Sequence, residues 1–371
     1  MGKLSVGIIG TGFGAKVLAP AFRTISGAAL TAIAGQDRLK SASAGQALGI
    51  PTVHNSWQEL IADEQVDAVV VAVPPSSHFE VVTAALRAGK HVLCEKPFGV
   101  DADQAAQMCE LARGSGRVCM VDYLFRAAPE RVRLKELLDG QEIGRLIRVT
   151  VEWTVRGRAA GNSAWSWQFD PASGGGVLFA FGSHVVDYLQ WLVGPARSVA
   201  ARSSIRGGPA QSVSLARPVA ADTLDAMLLL DGDIPVSMTV SNATPGGRGH
   251  WLTIYGERGA YLVGNANLAD TVVGTGLYQS DAATGTLRQI PVVSIGGEGV
   301  PNGRTLLVGR IAEGFVRAVQ SGTRAVPSCE DGWRAQVVMD AIREAHDQQR
   351  WIPVRFPSAE DGGRSSGRRA P

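Results

Sequence analysis

The first third of the chain alternates short apolar runs with stretches of helical period. Residues 4–9, 29–34, 67–73, 92–93 and 117–121 are dominated by Val, Ile, Leu and Ala and show no polar face. This is the pattern of strands buried on both faces of a parallel sheet. Between them, residues 16–22 read as a helix that Pro20 kinks, and residues 39–48, 57–62 and 102–113 read as further helices. Val53 falls in a short strand, and Phe79, Val82, Ala85 and Leu86 recur at helical spacing up to Gly89. Repeated β-α units of this kind predict a doubly wound Rossmann sheet with right-handed crossovers.

After Asp122 the period changes. Residues 149–156 alternate strictly between apolar and polar, which marks a sheet with one covered and one more polar face. Strand-like runs follow at 198–204, 224–230, 236–241 and 252–255, and helical spacing at 131–138, 179–191, 306–319 and 333–346. The fold class is therefore α/β: an N-terminal Rossmann domain over 1–122 and a C-terminal α+β domain with an antiparallel sheet over 123–357. A sheet face left bare by its helix predicts a homodimer or homotetramer. Residues 358–371 are rich in Gly, Ser, Arg and Pro, and read as a disordered tail.

Composition narrows the class. With 371 residues, 45% hydrophobic, 19% charged and a net charge of +2, the chain reads as a two-domain soluble protein with no bias towards nucleic acid. The longest apolar runs fall short of the roughly 18 residues of a membrane span. The N-terminus enters a strand by Leu4, without the pattern of a signal peptide. Cys94, Cys109, Cys119 and Cys329 match no zinc or disulfide spacing, which suits a reducing, cytoplasmic setting.

Candidate chemistry gathers at the strand ends, where open parallel sheets bind ligands. Gly10-Thr11-Gly12-Phe13-Gly14-Ala15 joins the first strand to the first helix. In that context Gly10 makes the tight turn, Gly12 admits a pyrophosphate to the backbone, and Ala15 permits close helix–strand packing. The helix N-terminus then favours the phosphate charge. The tip of the second strand carries Gly35 where a ribose-binding carboxylate is usual, with Asp37 two residues on and Arg38 beside it. That arrangement leans towards NADP over NAD, although Asp37 remains able to reach a ribose and Arg38 to be a solvated loop charge. Pro74, Pro75, His78, Glu95 and Lys96 also fall just past strand ends. For His78, capping or packing is at least as good a reading as cofactor contact.

These residues resemble the glucose–fructose oxidoreductase / inositol 2-dehydrogenase / MocA (Gfo/Idh/MocA) family. The resemblance rests on Gly10-x-Gly12, Pro74-Pro75-Ser76-Ser77-His78 and the string Ala88-Gly89-Lys90-His91-Val92-Leu93-Cys94-Glu95-Lys96-Pro97. It continues through Arg126, Pro129, Gly174-Gly175-Gly176 and Gly182-Ser183-His184-Val185-Val186-Asp187. It implies an NAD(P)-binding domain, a second domain with an open, mostly antiparallel sheet, and Lys96 and His184 beside the nicotinamide and the substrate carbon. His184 is then the general base and Lys96 the donor to the developing alkoxide, held by Glu95. Asp187, one turn after His184, is a candidate to orient or charge it, and Arg126, Trp167 and Asp187 are candidates for the substrate. One departure stands out. Ala180 occupies the position, four residues before His184, where many members carry an aspartate.

The expected function is NAD(P)-dependent hydride transfer at a secondary alcohol or ketone carbon of a sugar, polyol or related small molecule, without a metal. Two alternatives share the fold: a non-catalytic NAD(P)-binding regulator and an NAD-dependent glycosidase. Net reduction of the nicotinamide separates them.

Overall fold

A computed structural model describes residues 2–157, 163–208, 217–265, 272, 274–293 and 303–356. The N-terminal part is a six-stranded parallel sheet in the order β3-β2-β1-β4-β5-β6. Its strands are β1 (Leu4–Ile9), β2 (Ala28–Ala34), β3 (Thr52–Val53), β4 (Ala68–Val71), β5 (His91–Cys94) and β6 (Cys119–Val121). The central strands β1, β4 and β5 are buried almost throughout, as their unbroken apolar runs require. Helices α1 (Ala19–Arg23), α2 (Arg38–Leu48), α3 (Trp57–Ala62), α4 (His78–Arg87) and α5 (Ala102–Ser115) connect them. The strand order reverses between β1 and β4, which opens the ligand crevice at the carboxyl ends.

The first helix differs from expectation. A wider π turn, Gly14–Leu18, runs directly into α1, and Pro20 sits in the opening turn of α1 instead of kinking a longer helix. Proline is tolerated there because first-turn N–H groups lack intrahelical partners.

The second part is built on a nine-stranded sheet, β14-β13-β12-β11-β7-β10-β9-β8-β15. Its main strands are β7 (Leu146–Thr154), β8 (Ala196–Ser204), β9 (Thr223–Leu230), β10 (Ile234–Ser241) and β11 (Gly249–Gly256). All pairings are antiparallel except β7 with β10. Period-two alternation holds: Leu224, Ala226, Leu228 and Leu230 of β9 are buried, while Met227 between them is 54% exposed. Four strands had no signal in the chain: β12 (Gly259–Asn265), β13 (Gly276–Asp281), β14 (Leu287–Ile290) and β15 (Ile352–Pro353). They are glycine-containing, polar or very short, and pairing with neighbours defines them more than their own pattern does.

Among the described residues, helices α6 (Pro129–Asp139), α7 (Ser183–Leu192), α8 (Gly303–Ser321) and α9 (Cys329–Gln348) complete this part. A second π turn, Leu178–Gly182, leads into α7. Helix α9 packs on α5 of the first part and on α7 and β8 of the second, so it ties the two together. Its start is fixed by Ser328 and Asp331 in a reciprocal capping box. The four cysteines are free and buried. Among the described residues no helix is long and apolar enough to cross a membrane, and no group of His, Cys, Asp and Glu is arranged for a metal. The tail at 358–371 lies outside the described residues.

Candidate active site

The glycine loop has the shape a dinucleotide needs. Gly10 has φ of 123°, and a Cβ there would stand 2.2 Å from the Ala72 carbonyl oxygen, so only glycine fits. Gly12 is exposed, and a Cβ on it would meet nothing within 4 Å, which leaves its backbone open to an approaching phosphate. Thr11 and Phe13 flank it, half-buried. The close packing expected of Ala15 falls instead to Gly14, where a Cβ would stand 2.9 Å from Ile8 Cγ2. These features fit a pyrophosphate on the main chain of residues 10–14.

At the tip of β2 the carboxylate expected to reach the cofactor is already engaged. Asp37 caps α2, accepting from the backbone N–H of Leu39 and Lys40, and its second oxygen lies 3.2 Å from Lys40 Nζ. Those N–H donors hold its carboxyl below the ordinary range. Gly35 leaves room only for Thr11 and Ser41, each within 3 Å of where its Cβ would be. Arg38 and Lys40 are exposed at this tip.

Another residue expected at the cofactor is held by the architecture. His78 is fully buried, with Nδ1 2.9 Å from the Pro97 carbonyl and Nε2 3.0 Å from the Val73 carbonyl. It joins the end of β4 to the turn after Lys96, with its single N–H donating to one of the two carbonyls and its ring enclosed by protein. Burial lowers its pKa while the carbonyls oppose that shift. Lys90 donates to the Asp63 and Val66 carbonyls at 2.8 and 2.7 Å, and the His91 ring accepts from the Val118 N–H. Most of the 88–97 string is thus structural, and Lys96 is its chemical end.

Lys96 lines a cavity of about 280 Å³ between the two parts. Its lining combines Pro75, Trp167, Phe179 and Phe181 with the polar Asn242 and Arg304, and the glycines 174–176 also border it. Pro74 stands half-buried just before Pro75. Each glycine of the triple run is needed. A Cβ would strike Pro75 from Gly174 at 2.6 Å, the Gln168 carbonyl from Gly175 at 2.6 Å, and Ala220 from Gly176 at 3.1 Å. Trp167 is 41% exposed and presents an apolar face; Phe169 is buried.

The Nζ of Lys96 donates to the Ala180 carbonyl at 2.8 Å. The main chain of the π turn therefore supplies an anchor for Lys96 at Ala180, the position where the resemblance led one to expect an aspartate. Burial, and secondarily Arg304, lower the Lys96 pKa to about 8, against the pull of Glu95 and Asp122.

His184 lies one turn beyond Ala180 and does not line the cavity. It is 5% exposed, edge-on to Phe125 with ring centroids 5.0 Å apart, and its Nδ1 is buried without a partner. Burial, then the charge of Lys96, depress its pKa well below the ordinary value, so it is neutral at pH 7. A wider aromatic and cationic sheath surrounds it: Trp153 stacks between Phe181 and His250, and Arg131 packs over Phe125 and Tyr188.

Asp187 and Arg126 are not where the sequence suggested. Asp187 does not meet His184; it accepts both Nε and Nη2 of Arg126, at 2.9 and 2.6 Å. Arg126 Nη2 also donates to Asp331 at 3.1 Å. The trio ties the turn after β6 to α7 and α9, and its arginine is buried and does not line the Lys96 cavity. Burial pushes the Asp187 carboxyl up to about 7, but the same pairing raises the guanidinium above its ordinary value, and the bidentate fork keeps the carboxylate ionised.

Sequence reasoning missed Asp122, Asn242 and Arg304. Asp122 and Asn242 are the first residues past the ends of β6 and β10, and a polar residue in that position was the available signal. Nothing in the chain pointed to Arg304.

Comparison with known proteins decides the family. The profile described as an oxidoreductase family with an NAD-binding Rossmann fold matches residues 4–123, and the one for the C-terminal alpha/beta domain of that family matches 135–354. The chain belongs to the Gfo/Idh/MocA oxidoreductase family. It is thus an NAD-binding oxidoreductase. Among its relatives, an uncharacterised oxidoreductase of Synechocystis is 34% identical over 363 residues, covering 95% of this chain and 96% of the relative. The levoglucosan dehydrogenase of Pseudarthrobacter phenanthrenivorans is 26% identical, covering 95% and 96%. A levoglucosan dehydrogenase structure in complex with NADH and levoglucosan superposes with a TM-score of 0.85 at 25% identity, covering 95% of this chain and 99% of that one. An NADP-dependent D-xylose 1-dehydrogenase of Haloferax volcanii is 33% identical over 51% of this chain and 57% of its own.

Proposed function

We propose that this oxidoreductase oxidises a secondary hydroxyl of a sugar or polyol, and reduces the ketone in reverse, in the cavity that holds Lys96. The observation that carries this reading is the Lys96 ammonium, fixed on the Ala180 carbonyl at the wall of a cavity lined by both aromatic and polar residues. The nicotinamide cofactor, when bound, accepts the hydride. Lys96 donates a hydrogen bond to the carbinol oxygen and stabilises alkoxide charge as it develops, a term worth a few kcal/mol in a dry site. His184, neutral and with an unpartnered Nδ1, stands one helical turn beyond the cavity-lining Ala180 and is assigned the hydroxyl proton. Trp167 offers a face for the apolar side of a sugar ring, and Asn242 Oδ1, buried without a partner, an acceptor for a hydroxyl. The names of the levoglucosan and xylose dehydrogenases support a sugar.

NADP is the favoured cofactor. The engaged Asp37, the absent carboxylate at Gly35 and the exposed Arg38 and Lys40 support it. The bare face of the large sheet, where Met227 and Tyr255 are exposed, supports a homodimer or homotetramer.

The test is a panel of sugars and polyols assayed with NAD and NADP in parallel, followed by Lys96→Ala and His184→Ala on the best substrate. Lys96→Ala is expected to lower kcat by about 100-fold or more while cofactor affinity changes only a few-fold. Near-normal turnover in both variants sinks the assignment. Aglycone release without net nicotinamide reduction identifies a glycosidase instead.

A further inference from the structure

The strands β5 and β6 pair in register with Cys94 opposite Val121, so Glu95 and Asp122 are the first residues beyond two adjacent strand ends. The Asp122 N–H donates to the Cys94 carbonyl at 2.8 Å, which fixes Asp122 beside the β5 exit. Its side chain is buried, and its carboxyl and that of Glu95 act on each other's titration across the two strand ends. Both Asp122 carboxyl oxygens and Glu95 Oε1 are buried and meet no donor. Two ionised carboxylates cannot share such a site without a donor, whereas one proton between them supplies it.

The surrounding charges constrain the outcome. Lys96 adjoins Glu95 in the chain, and Arg304 of α8 adds positive charge towards Lys96. Neutral His184 of α7 and His78 of α4 face Lys96, and the buried Cys94 thiol faces Glu95. With two carboxylates ionised the pocket carries uncompensated repulsion; with none, Lys96 is left beside Arg304 with no counter-charge.

We propose that Glu95 and Asp122 bind one proton between them and act as a single buried monoanion that keeps Lys96 charged, which makes Asp122 a positioning residue for the reaction. The catalytic meaning rests on the role of Lys96 proposed above; the electrostatic claim does not. The direction of each titration agrees. Burial, then the neighbouring Asp122, push Glu95 up; burial pushes Asp122 up to about 6 while the Glu95 contact opposes it; and both carboxyls pull Lys96 up against desolvation.

A monoanion shared by two residues has a non-additive signature. Glu95→Gln or Asp122→Asn replaces the shared proton by an amide donor and leaves one carboxylate, so the charge beside Lys96 persists. The double variant removes it. The readout is a carbon-13 NMR titration of reductively methylated protein, which needs no substrate and is therefore independent of the dehydrogenase assignment. The chain has only six lysines, and Lys96→Arg assigns the signal. The single variants are expected to hold the Lys96 titration within about half a pH unit of the parent, and the double to lower it by about one unit or more. A double variant that titrates like the parent, or a single that moves as far as the double, overturns the proposal. Should the double variant not fold, the infrared difference spectrum of the parent against Asp122→Asn at neutral pH decides. A carboxylic-acid carbonyl band present only in the parent is expected, and its absence rejects the shared proton.

Discussion

Arg126, Asp187 and Asp331 form one buried charged cluster, and Glu95, Lys96 and Asp122 form another, with Asp122 and Arg126 four residues apart in the chain. In the first, a guanidinium fork meets two carboxylates on two helices, at distances of 2.6 to 3.1 Å. In the second, three carboxyl oxygens have no donor and the ammonium leans on a backbone carbonyl. A closed network fixes geometry and resists change; an open one keeps charge available for a ligand. From sequence, Arg126 and Asp187 of the first cluster and Glu95 and Lys96 of the second all looked like candidates for chemistry. The difference that separates structure from function here is whether hydrogen-bonding capacity is used up.

The largest effect should come from breaking the closed cluster. Arg126→Ala leaves Asp187 ionisable, buried and unpaired, and is expected to cost about 3–5 kcal/mol in denaturant unfolding. A loss under about 1 kcal/mol would mean that the trio is not the brace described. The same substitution in both clusters then gives the direct contrast. Asp187→Asn removes a carboxylate from an arginine fork and should cost about 2–3 kcal/mol. Asp122→Asn puts an amide donor where the shared proton was and leaves one carboxylate, so its unfolding free energy should stay within about 1 kcal/mol of the parent. Equal costs would erase the distinction.

The smallest effect concerns His184. Its pKa is lowered in the folded protein, so its contribution to stability is present above the unfolded value near 6.5 and is lost as pH falls below it. His184→Phe keeps the ring packing and gives up no hydrogen bond at Nδ1. The variant should lose less stability than the parent between pH 7 and pH 5.5, by about 1 kcal/mol, read from urea midpoints. Parallel curves would show that His184 is not held neutral.

Much of this protein could be read from its residues alone. Apolar runs of Val and Ile fix the parallel strands because a strand buried on both faces admits little else, and the alternation in β7, β9 and β10 fixes the half-covered sheet for the same reason. The glycine loop and Lys96 were legible because a tight turn and a strand end restrict both residue type and place. Tertiary structure alone decided the partners. Asp37 became a helix cap, His78 a clamp between two carbonyls, and Arg126 and Asp187 a brace. Asp122, unremarkable in the chain, came to rest beside Glu95, and a backbone carbonyl became the anchor of Lys96. A charged side chain has the same identity whether its capacity is spent on a neighbour or left open, and that depends on which donors and acceptors folding brings within 3 Å of it.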